Sequence, residues 1–269
     1  MSLLPAAARA RHRAALPRAN VLGVGVHAVD MAQAVDAIRA AIDGGRRGYV
    51  CVTGVHGVME AQRDPELRSV FARAYLCVPD GMPTVWIGRG QGHRRMRRVF
   101  GPELMAEVCR ISVERGYRHF LYGGGPGVAA QLAQRLVARF PGLSVVGAFT
   151  PPFRPLHAEE ARALEVEVAR CRPDVLWVGL GTPKQERFMA DFLERLDVPL
   201  MIGVGAAFDF HTGRLRDAPH WMKQSGLQWL HRLAQDPRRL WKRYAVNNPA
   251  FLAAICLQLA GLRHMRLDD

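Results

Sequence analysis

Cysteine is scarce in this sequence, and its spacing fits neither a metal site nor a disulfide framework. The 269 residues include five cysteines, scattered from Cys51 to Cys256, without a Cys-x-x-Cys pair or a Cys/His cluster at zinc spacing. Three of them lie in or beside apolar runs. We therefore expect buried, reduced thiols, which are typical of cytoplasmic proteins.

Long apolar runs are also missing. No stretch reaches the roughly 18 apolar residues that a membrane-spanning helix needs, and the best candidate, 250–262, contains Gln258. The first 20 residues hold four arginines and no acid, and they lack the apolar core of a signal peptide. We interpret residues 1–20 as a flexible basic tail, with a weak membrane or anion contact as the alternative.

Acidic residues are few relative to basic ones. The chain has 24 Asp and Glu against 37 Lys and Arg, a formal charge of +13 at pH 7. Residues 214–243 alone hold eight Lys and Arg against Asp217 and Asp236. Such a balance indicates anionic partners, which include nucleic acid, a phosphorylated ligand and an acidic lipid surface, or else a solvated basic surface.

Short apolar runs alternate with amphipathic stretches up to residue 205. We predict strands at 21–26, 49–53, 75–78, 118–123, 143–148, 174–180 and 199–205, and helices at 31–42, 55–72, 82–91, 102–115, 126–139, 158–170 and 183–196. This pattern predicts an α/β fold, an open doubly wound, mostly parallel sheet with helices on both faces. Residues 21–210 would form this core, and 211–269 a basic helical C-terminal appendage.

Ligands of such sheets bind at the carboxyl ends of the strands, and polar residues stand at two of these ends. Thr53 ends one strand, where its hydroxyl either contacts a ligand or caps the next helix. Asp80 follows another strand, between Pro79, which fixes its own backbone angle, and Gly81, which relaxes the turn. Its carboxylate is therefore held on the ligand side of the sheet, or it caps the helix that starts near Met82.

Glycine-containing turns follow two further strands. Gly124 lies in YGGGPG, where free backbone N–H groups at a helix start favour phosphate, although a tight structural turn fits equally. VGLGTPKQE contains Gly181 and then Lys184, Gln185 and Glu186 in the first helical turn. These side chains can reach a diphosphate, a uracil edge or a sugar hydroxyl. Alternatively, Glu186 complements the helix dipole and Lys184 is solvated.

Two more charged residues are candidates for the same edge. Asp209 stands between two phenylalanines at the end of the last strand, as a ligand contact or as a buried, hydrogen-bonded residue that pins the turn. Arg98 belongs to the run RRMRRVFGPEL, whose arginines either face solvent or contact a phosphate.

Six collinear stretches resemble the WecG/TagA/CpsF family of glycosyltransferases (glycosyltransferase family 26) over about residues 21–251. They are RDPELRSVFARAYLCVPDGMP, RRVFGPELM, FLYGGGPGVAAQLAQRL, DVLWVGLGTPKQERFM, IGVGAAFDFHTGRLRDAPHWM and GLQWLHRLAQDPRRLWKRY. The resemblance implies a peripheral enzyme on the inner face of the plasma membrane. It would transfer a sugar, with inversion, from a UDP-sugar to a polyprenyl-diphosphate-linked saccharide. N-acetylmannosamine, its uronic acid, glucose and glucuronic acid are all compatible donor sugars.

The resemblance also implies roles for individual residues. Asp80 matches the general base, and Thr53, Arg98 and Gln185 match active-site positions. Arg232, Arg239 and Arg243 match basic positions of the family's C-terminal appendage. The resemblance implies that this appendage closes over the site and contacts the lipid diphosphate. Two departures stand out. Val55, followed by His56, replaces the usual Asn, which bears on the donor contacts, and Glu103 stands where Asp or another polar residue is common.

Two other classes of protein fit parts of the pattern. A nucleic-acid-binding protein would account for the charge but not for the polar strand ends, and no basic strand is interleaved with aromatics. An NAD-dependent enzyme would account for the glycine turns, but G-x-G-x-x-G with a later acid is missing. The resemblance implies no need for a metal, and no D-x-D metal motif is present, so we expect no cofactor. We also expect no nucleic-acid partner. A homo-oligomer stays open.

Overall fold

A six-stranded parallel sheet forms the centre of the protein. The computed structural model describes residues 16–262 and 265–267. Its strands are β1 (Arg18–Val21), β2 (Val24–His27), β3 (Gly48–Thr53), β4 (Leu76–Pro79), β5 (Arg118–Gly123), β6 (Ser144–Phe149), β7 (Val175–Gly179) and β8 (Leu200–Gly203). The main sheet has the order β4-β3-β8-β7-β5-β6, and every neighbouring pair in it is parallel. The predicted α/β class is confirmed.

Helices cover both faces of this sheet. They are α1 (Met31–Asp43), α2 (Val55–Arg63), α3 (Pro65–Arg73), α4 (Met82–Gly90), α5 (Gly101–Arg115), α6 (Val128–Arg139), α7 (Ala158–Cys171), α8 (Lys184–Asp191), α9 (Ala207–His211), α10 (His220–Gln224), α11 (Gln228–Gln235) and α12 (Pro237–Leu259). Helices α1, α5, α6 and α9 pack on one face, and α2, α3, α7 and α8 pack on the other.

The two apolar cores follow from the alternation of side chains along each strand. In β3, Cys51 lies in one core, whereas Val50 and Val52 lie in the other. A strand buried on both faces is apolar throughout, which is why these strands appear as continuous apolar runs in the sequence. Four of the cysteines are buried free thiols, as expected, whereas Cys256 is an exposed free thiol.

The first predicted strand is a hairpin instead. The chain reverses at Leu22 and Gly23, whose φ angles are 52° and 83°, so β1 and β2 pair antiparallel in a separate two-stranded sheet. The Asn20 side chain stabilises the turn by accepting a hydrogen bond from the Gly23 N–H (2.7 Å). Two consecutive positive φ angles are typical of hairpin turns, but leucine rarely adopts a positive φ. The alternating valines on both sides of the turn therefore predicted one continuous strand. Strand β1 takes in residues 18–20 of the predicted tail, and residues 1–15 lie outside the described residues.

The predicted helix at 55–72 is two helices. Asp64 adopts an extended backbone, caps α3 by accepting a hydrogen bond from the Leu67 N–H (3.0 Å), and precedes Pro65. A proline disfavours helical geometry in the residue before it, so α2 ends at Arg63.

The chain after β8 is helical, as predicted for the appendage. Helix α12 contacts α2 and α11, and its residues Phe251, Ala254 and Ile255 join one of the two apolar cores. Within the described part of the chain, no helix is both long enough and apolar enough to cross a bilayer. The basic appendage is thus anchored on the α/β core.

Candidate functional site

Two predicted site residues meet where β3 and β4 end. These strands are adjacent and parallel, with Thr53 paired with Pro79, so both chains leave the sheet at the same edge. The Asp80 N–H donates a hydrogen bond to the Thr53 carbonyl oxygen (3.0 Å). The buried Thr53 hydroxyl lies 3.2 Å from Cys77 Sγ. Helix α2 begins with Gly54 as its cap residue, so Thr53 does not cap it.

The Asp80 carboxyl group does not cap α4, the helix that follows it in the chain, but accepts a hydrogen bond from the Gly101 backbone N–H at the start of α5. The cap residue of α4 is Gly81, whose carbonyl oxygen accepts a hydrogen bond from the Thr84 hydroxyl (2.7 Å). Although Asp80 as a whole is partly exposed, its Oδ1 atom is shielded from solvent and lacks a hydrogen-bond partner among residues 16–262 and 265–267. The predicted capping of α4 is therefore wrong, and one carboxylate oxygen is available to a ligand.

Burial and nearby charges set the pKa of Asp80. Burial raises the pKa to about 6, against the lowering effects of the Arg98 and Arg232 guanidinium groups and of the Gly101 backbone N–H. The negative charge of Glu103 raises it further. A carboxylate with this pKa is ionised at neutral pH and is basic enough to accept a proton from a reacting group.

Arg98 connects the end of β4 to the appendage. Its Nε donates to the Asp80 carbonyl oxygen (2.9 Å), and its Nη2 donates to Gln228 Oε1 on α11. The guanidinium carbon lies 4.2 Å from the centroid of the Phe100 ring. These contacts hold the side chain on three sides, at the base of the segment that leads into α5.

The three predicted arginines of the appendage lie near one another, and one of them, Arg232, lies near Asp80. Arg232 is close enough to Asp80 to lower its pKa. Burial lowers the pKa of Arg243, and the charges of Arg232 and Arg239 lower it further. Arg239 itself is exposed and pairs with Asp236 (2.6 Å). Helices α11 and α12 therefore present a cationic surface to the strand ends.

A second contact between core and appendage involves the residue after Val55. The His56 Nδ1 atom lies 3.1 Å from Asn247 Nδ2 on α12, and Arg63 Nη2 donates to Asn247 Oδ1 (2.9 Å). Burial, followed by the charge of Arg243, lowers the pKa of His56 to about 4. A neutral imidazole at physiological pH can accept the hydrogen bond from Asn247.

Gln185 and Glu186 form a buried network at the start of α8. The Gly181 N–H donates to Gln185 Oε1 (3.2 Å), and Glu186 Oε1 accepts from Gln185 Nε2 (3.1 Å) and from the Thr182 hydroxyl (2.9 Å). Burial raises the pKa of Glu186, which is completely buried.

Lys184 lies on the surface, and Gly124 and Gly181 occupy backbone turns with positive φ angles. Lys184 is exposed, with its Nζ 5.7 Å from the centroid of the Phe153 ring. Gly124 has a φ of 74°, and its N–H donates to the Gly179 carbonyl oxygen (3.0 Å), which makes the YGGGPG segment a tight turn between β5 and α6. Gly181 has a φ of 76° and open space beside it.

Asp209 is not at the end of β8, where we predicted it. The strand ends at Gly203, and Asp209 lies in the short helix α9, which packs against α5 and α6. Its carbonyl oxygen accepts hydrogen bonds from the Arg214 and Leu215 N–H groups (2.9 and 3.1 Å). The turn after α9 is thus pinned by the backbone of Asp209, not by its side chain.

Sequence reasoning missed Gln228 and Asn247. Gln228 precedes Arg232 by four residues, a spacing that places both on one face of α11. The four-residue spacing could be recognised in the sequence, but no sequence pattern indicated which face of α11 lies against Asp80. Asn247 is only 4% exposed, and a buried asparagine in a long helix is a usable indication of a polar contact.

The fold and the site are those of an α/β enzyme, because a carboxylate of raised pKa lies beside two arginines at the carboxyl ends of parallel strands. Residues 19–265 match the Glycosyl transferase WecG/TagA/CpsF family. The chain therefore belongs to this family and is a glycosyltransferase.

Two curated relatives are similar over most of their length. The chain is 27% identical over 183 residues to the N-acetylglucosaminyldiphosphoundecaprenol N-acetyl-beta-D-mannosaminyltransferase of Bacillus subtilis (strain 168), covering 68% of this chain and 69% of the relative. It is 25% identical over 214 residues to the protein of the same name from Bacillus spizizenii (strain ATCC 23059 / NRRL B-14472 / W23), covering 80% of each.

Proposed function

We propose that the protein transfers a sugar, with inversion, from a UDP-sugar to a polyprenyl-diphosphate-linked saccharide during synthesis of a cell-wall polymer or exopolysaccharide. The printed names of the two Bacillus relatives describe transfer of an N-acetylmannosaminyl group to N-acetylglucosaminyl-diphosphoundecaprenol, which supports this class of donor and acceptor. The donor sugar itself is N-acetylmannosamine, its uronic acid, glucose or glucuronic acid.

The observation that carries the proposal is the solvent-shielded, unpartnered Oδ1 of Asp80, in a carboxyl group whose pKa is about 6. In the proposed reaction, an acceptor hydroxyl gives its proton to this carboxylate while its oxygen attacks the anomeric carbon from the face opposite UDP. The new glycosidic bond forms as the bond to the UDP oxygen breaks. One carboxylate is sufficient for such an inverting transfer.

The departing UDP needs positive charge, and we propose that arginines supply it without a metal cofactor. Arg98 is the candidate that the strand ends hold in place, because its Nε donates to the Asp80 carbonyl oxygen (2.9 Å). Fixed cations at the place where charge develops stabilise a transition state. Arginine also binds phosphate oxygens in a bidentate manner.

We further propose that the appendage attaches the enzyme to the inner face of the plasma membrane. Large apolar side chains are exposed on α10 and α12, with Trp221 63% exposed, Trp241 53% and Leu252 64%. Basic residues of the same segment would lie near anionic lipid headgroups. A lipid-linked acceptor would then reach the strand ends from the membrane.

The test is the Asp80→Asn variant, assayed with a panel of UDP-sugars and a short-chain polyprenyl-diphosphate acceptor. A general base contributes ~10²–10⁴-fold, so turnover should fall by about that factor, with UDP still raising the melting temperature. Asp36→Asn, on the exposed surface of α1, should keep full turnover. Near-normal turnover by folded Asp80→Asn would remove Asp80 from this role, and stabilisation by NAD instead of UDP would point to a dehydrogenase.

A further inference from the structure

Three buried polar atoms near Asp80 lack a hydrogen-bond partner in the described part of the chain. They are Asp80 Oδ1, Gln228 Nε2 and Arg232 Nε. Buried donors and acceptors are almost always paired in folded proteins, because an unpaired one loses its contact with water and gains nothing in return. Three such atoms together therefore indicate a site built for a ligand.

Contacts in the structure connect these three atoms. Arg98 donates both to the carbonyl oxygen of Asp80 and to Gln228 Oε1, and so joins the end of β4 to α11. Arg232 lies one turn after Gln228 on the same helix, and its charge acts on the Asp80 carboxyl group. Gln228, Arg232 and Asp80 are thus neighbours between the end of β4 and α11.

The orientation of the Gln228 amide follows from its partner. A guanidinium group has only donors, so the atom that faces Arg98 must be the amide oxygen, as it is here. The amide nitrogen is consequently directed away from Arg98. It is solvent-shielded and presents two N–H groups to whatever enters the site.

The mixture of donors and acceptor identifies the chemistry of the ligand. A diphosphate offers only acceptor oxygens and negative charge, and it would face the unpaired Asp80 oxygen unfavourably. A sugar ring offers a hydroxyl that can donate to Asp80 and a neighbouring oxygen that can accept from Gln228 and Arg232. An uncharged, hydroxylated ring therefore complements the site better than a phosphate does.

We propose that Gln228, together with Arg232, binds an oxygen of the acceptor's terminal sugar, next to the hydroxyl that Asp80 deprotonates. This inference rests on the proposed function and adds a residue that selects and orients the acceptor. Gln228 then has two tasks: its oxygen fixes Arg98, and its nitrogen binds the sugar. The diphosphate of the acceptor is left to Arg239 and Arg243, further along the appendage.

The experiment compares Gln228→Ala and Gln228→Glu with a matched control, Gln224→Ala, on the exposed surface of α10. The KM for a short-chain polyprenyl-diphosphate saccharide is measured at saturating UDP-sugar, and the Kd for UDP is measured by calorimetry. Loss of one substrate hydrogen bond should raise the acceptor KM about tenfold or more. For Gln228→Glu, which keeps the oxygen that holds Arg98, the Kd for UDP should stay within about twofold.

Gln228→Glu separates binding from support of Arg98. Glutamate keeps an oxygen that accepts from Arg98 but has no N–H to give to a sugar. If Gln228 only supports Arg98, Gln228→Glu will have a normal acceptor KM, which would overturn the proposal. A rise in KM for both variants supports it, and an equal weakening of UDP binding by Gln228→Glu would also overturn it.

Failure of the proposed function would look different. If the wild-type protein transfers no sugar from any donor in the panel, the proposed function is wrong. The Gln228 inference is then decided by calorimetric titration of the acceptor into wild type and Gln228→Glu. Equal affinity, or the absence of wild-type binding, would refute it.

Discussion

At Asp80, burial and neighbouring charges act on the carboxyl pKa in opposite directions. Burial is the largest effect and raises the pKa, while Arg98 and Arg232 lower it and Glu103 raises it. The result, about 6, is well above the ordinary value of 3.8. The arginines keep the carboxylate ionised at neutral pH, and burial keeps it basic enough to accept a proton.

This balance predicts the acid limb of the pH profile. Because only the ionised carboxylate accepts a proton, kcat/KM should fall as the pH drops below about 6, since this parameter reports the free enzyme. Glu103→Gln removes a charge that raises the pKa, so its acid limb should move to lower pH. Arg232→Gln removes a charge that lowers the pKa, so its limb should move to higher pH.

The control for this profile is Glu107→Gln, a neighbouring glutamate on α5 that pairs with Arg110 (2.6 Å). It should leave the acid limb in place. An acid limb near the ordinary value for aspartate, or a limb that moves in neither variant, would show that another group controls the rate.

The sequence predicted individual site residues best where a strand end fixes them. Thr53 and Asp80 follow neighbouring parallel strands, so their proximity could be derived from the sheet alone. Gln185 and Glu186 were placed correctly in the first turn of a helix, but their burial and mutual hydrogen bond depend on how α8 packs. Gln228 could not be predicted, because its partner Arg98 is 130 residues away in the chain.

At the scale of elements, apolar periodicity carried most of the fold. It identified the six strands of the main sheet and most helices, because strands covered on both faces have little sequence ambiguity. Apolar periodicity failed where the backbone conformation of a single residue determines the structure. Leu22 adopts a positive φ that alternation cannot reveal, and Asp64 interrupts a helical pattern as a cap. The path of α11 and α12 over the strand ends also lay outside what periodicity can predict.

Helix α12 is fastened to the core through Asn247, and this predicts a defined local weakening. Asn247→Ala removes the contacts to His56 and Arg63. Loss of such buried hydrogen bonds costs ~1–3 kcal/mol, so amides of α12 should exchange hydrogen about tenfold faster or more. Because Arg243 lies one turn earlier on the helix, the acceptor KM should rise while turnover at saturation changes little.

Hydrogen exchange measured by mass spectrometry checks this expectation, with Asn248→Ala, the adjacent amide on the same helix, as the control. Exchange should accelerate over the peptides of α12 and not over those of α5 or α6. Uniform acceleration across the sheet would mean that Asn247 supports global stability. Unchanged exchange in α12 would mean that His56 and Arg63 do not fasten the helix.

At the scale of the whole molecule, the basic charge and the position of the appendage predict how the enzyme is oriented on a membrane. The formal charge is +13, and helices α10 to α12 combine basic residues with exposed Trp221 and Trp241. Helix α11 contacts Arg98 beside the end of β4, and Asn247 of α12 contacts Arg63 of α2. One segment therefore faces both the proposed membrane surface and the proposed base. An acceptor embedded by its lipid chain would be brought to Asp80 by the contact that holds the enzyme at the bilayer.

This arrangement predicts binding to anionic vesicles that depends on both charge and tryptophan. The protein should sediment with phosphatidylglycerol-containing vesicles and not with pure phosphatidylcholine, and high salt should release it, because each basic residue near the surface contributes about 1 kcal/mol. The double variant Trp221→Ala/Trp241→Ala should bind about tenfold more weakly, since two apolar side chains no longer enter the interface. Its turnover with a short, water-soluble acceptor should equal that of wild type. Val166→Ala, which alters an exposed apolar residue on α7, should bind normally. Equal sedimentation with neutral vesicles, or undiminished binding by the double variant, would place the membrane contact elsewhere on the molecule.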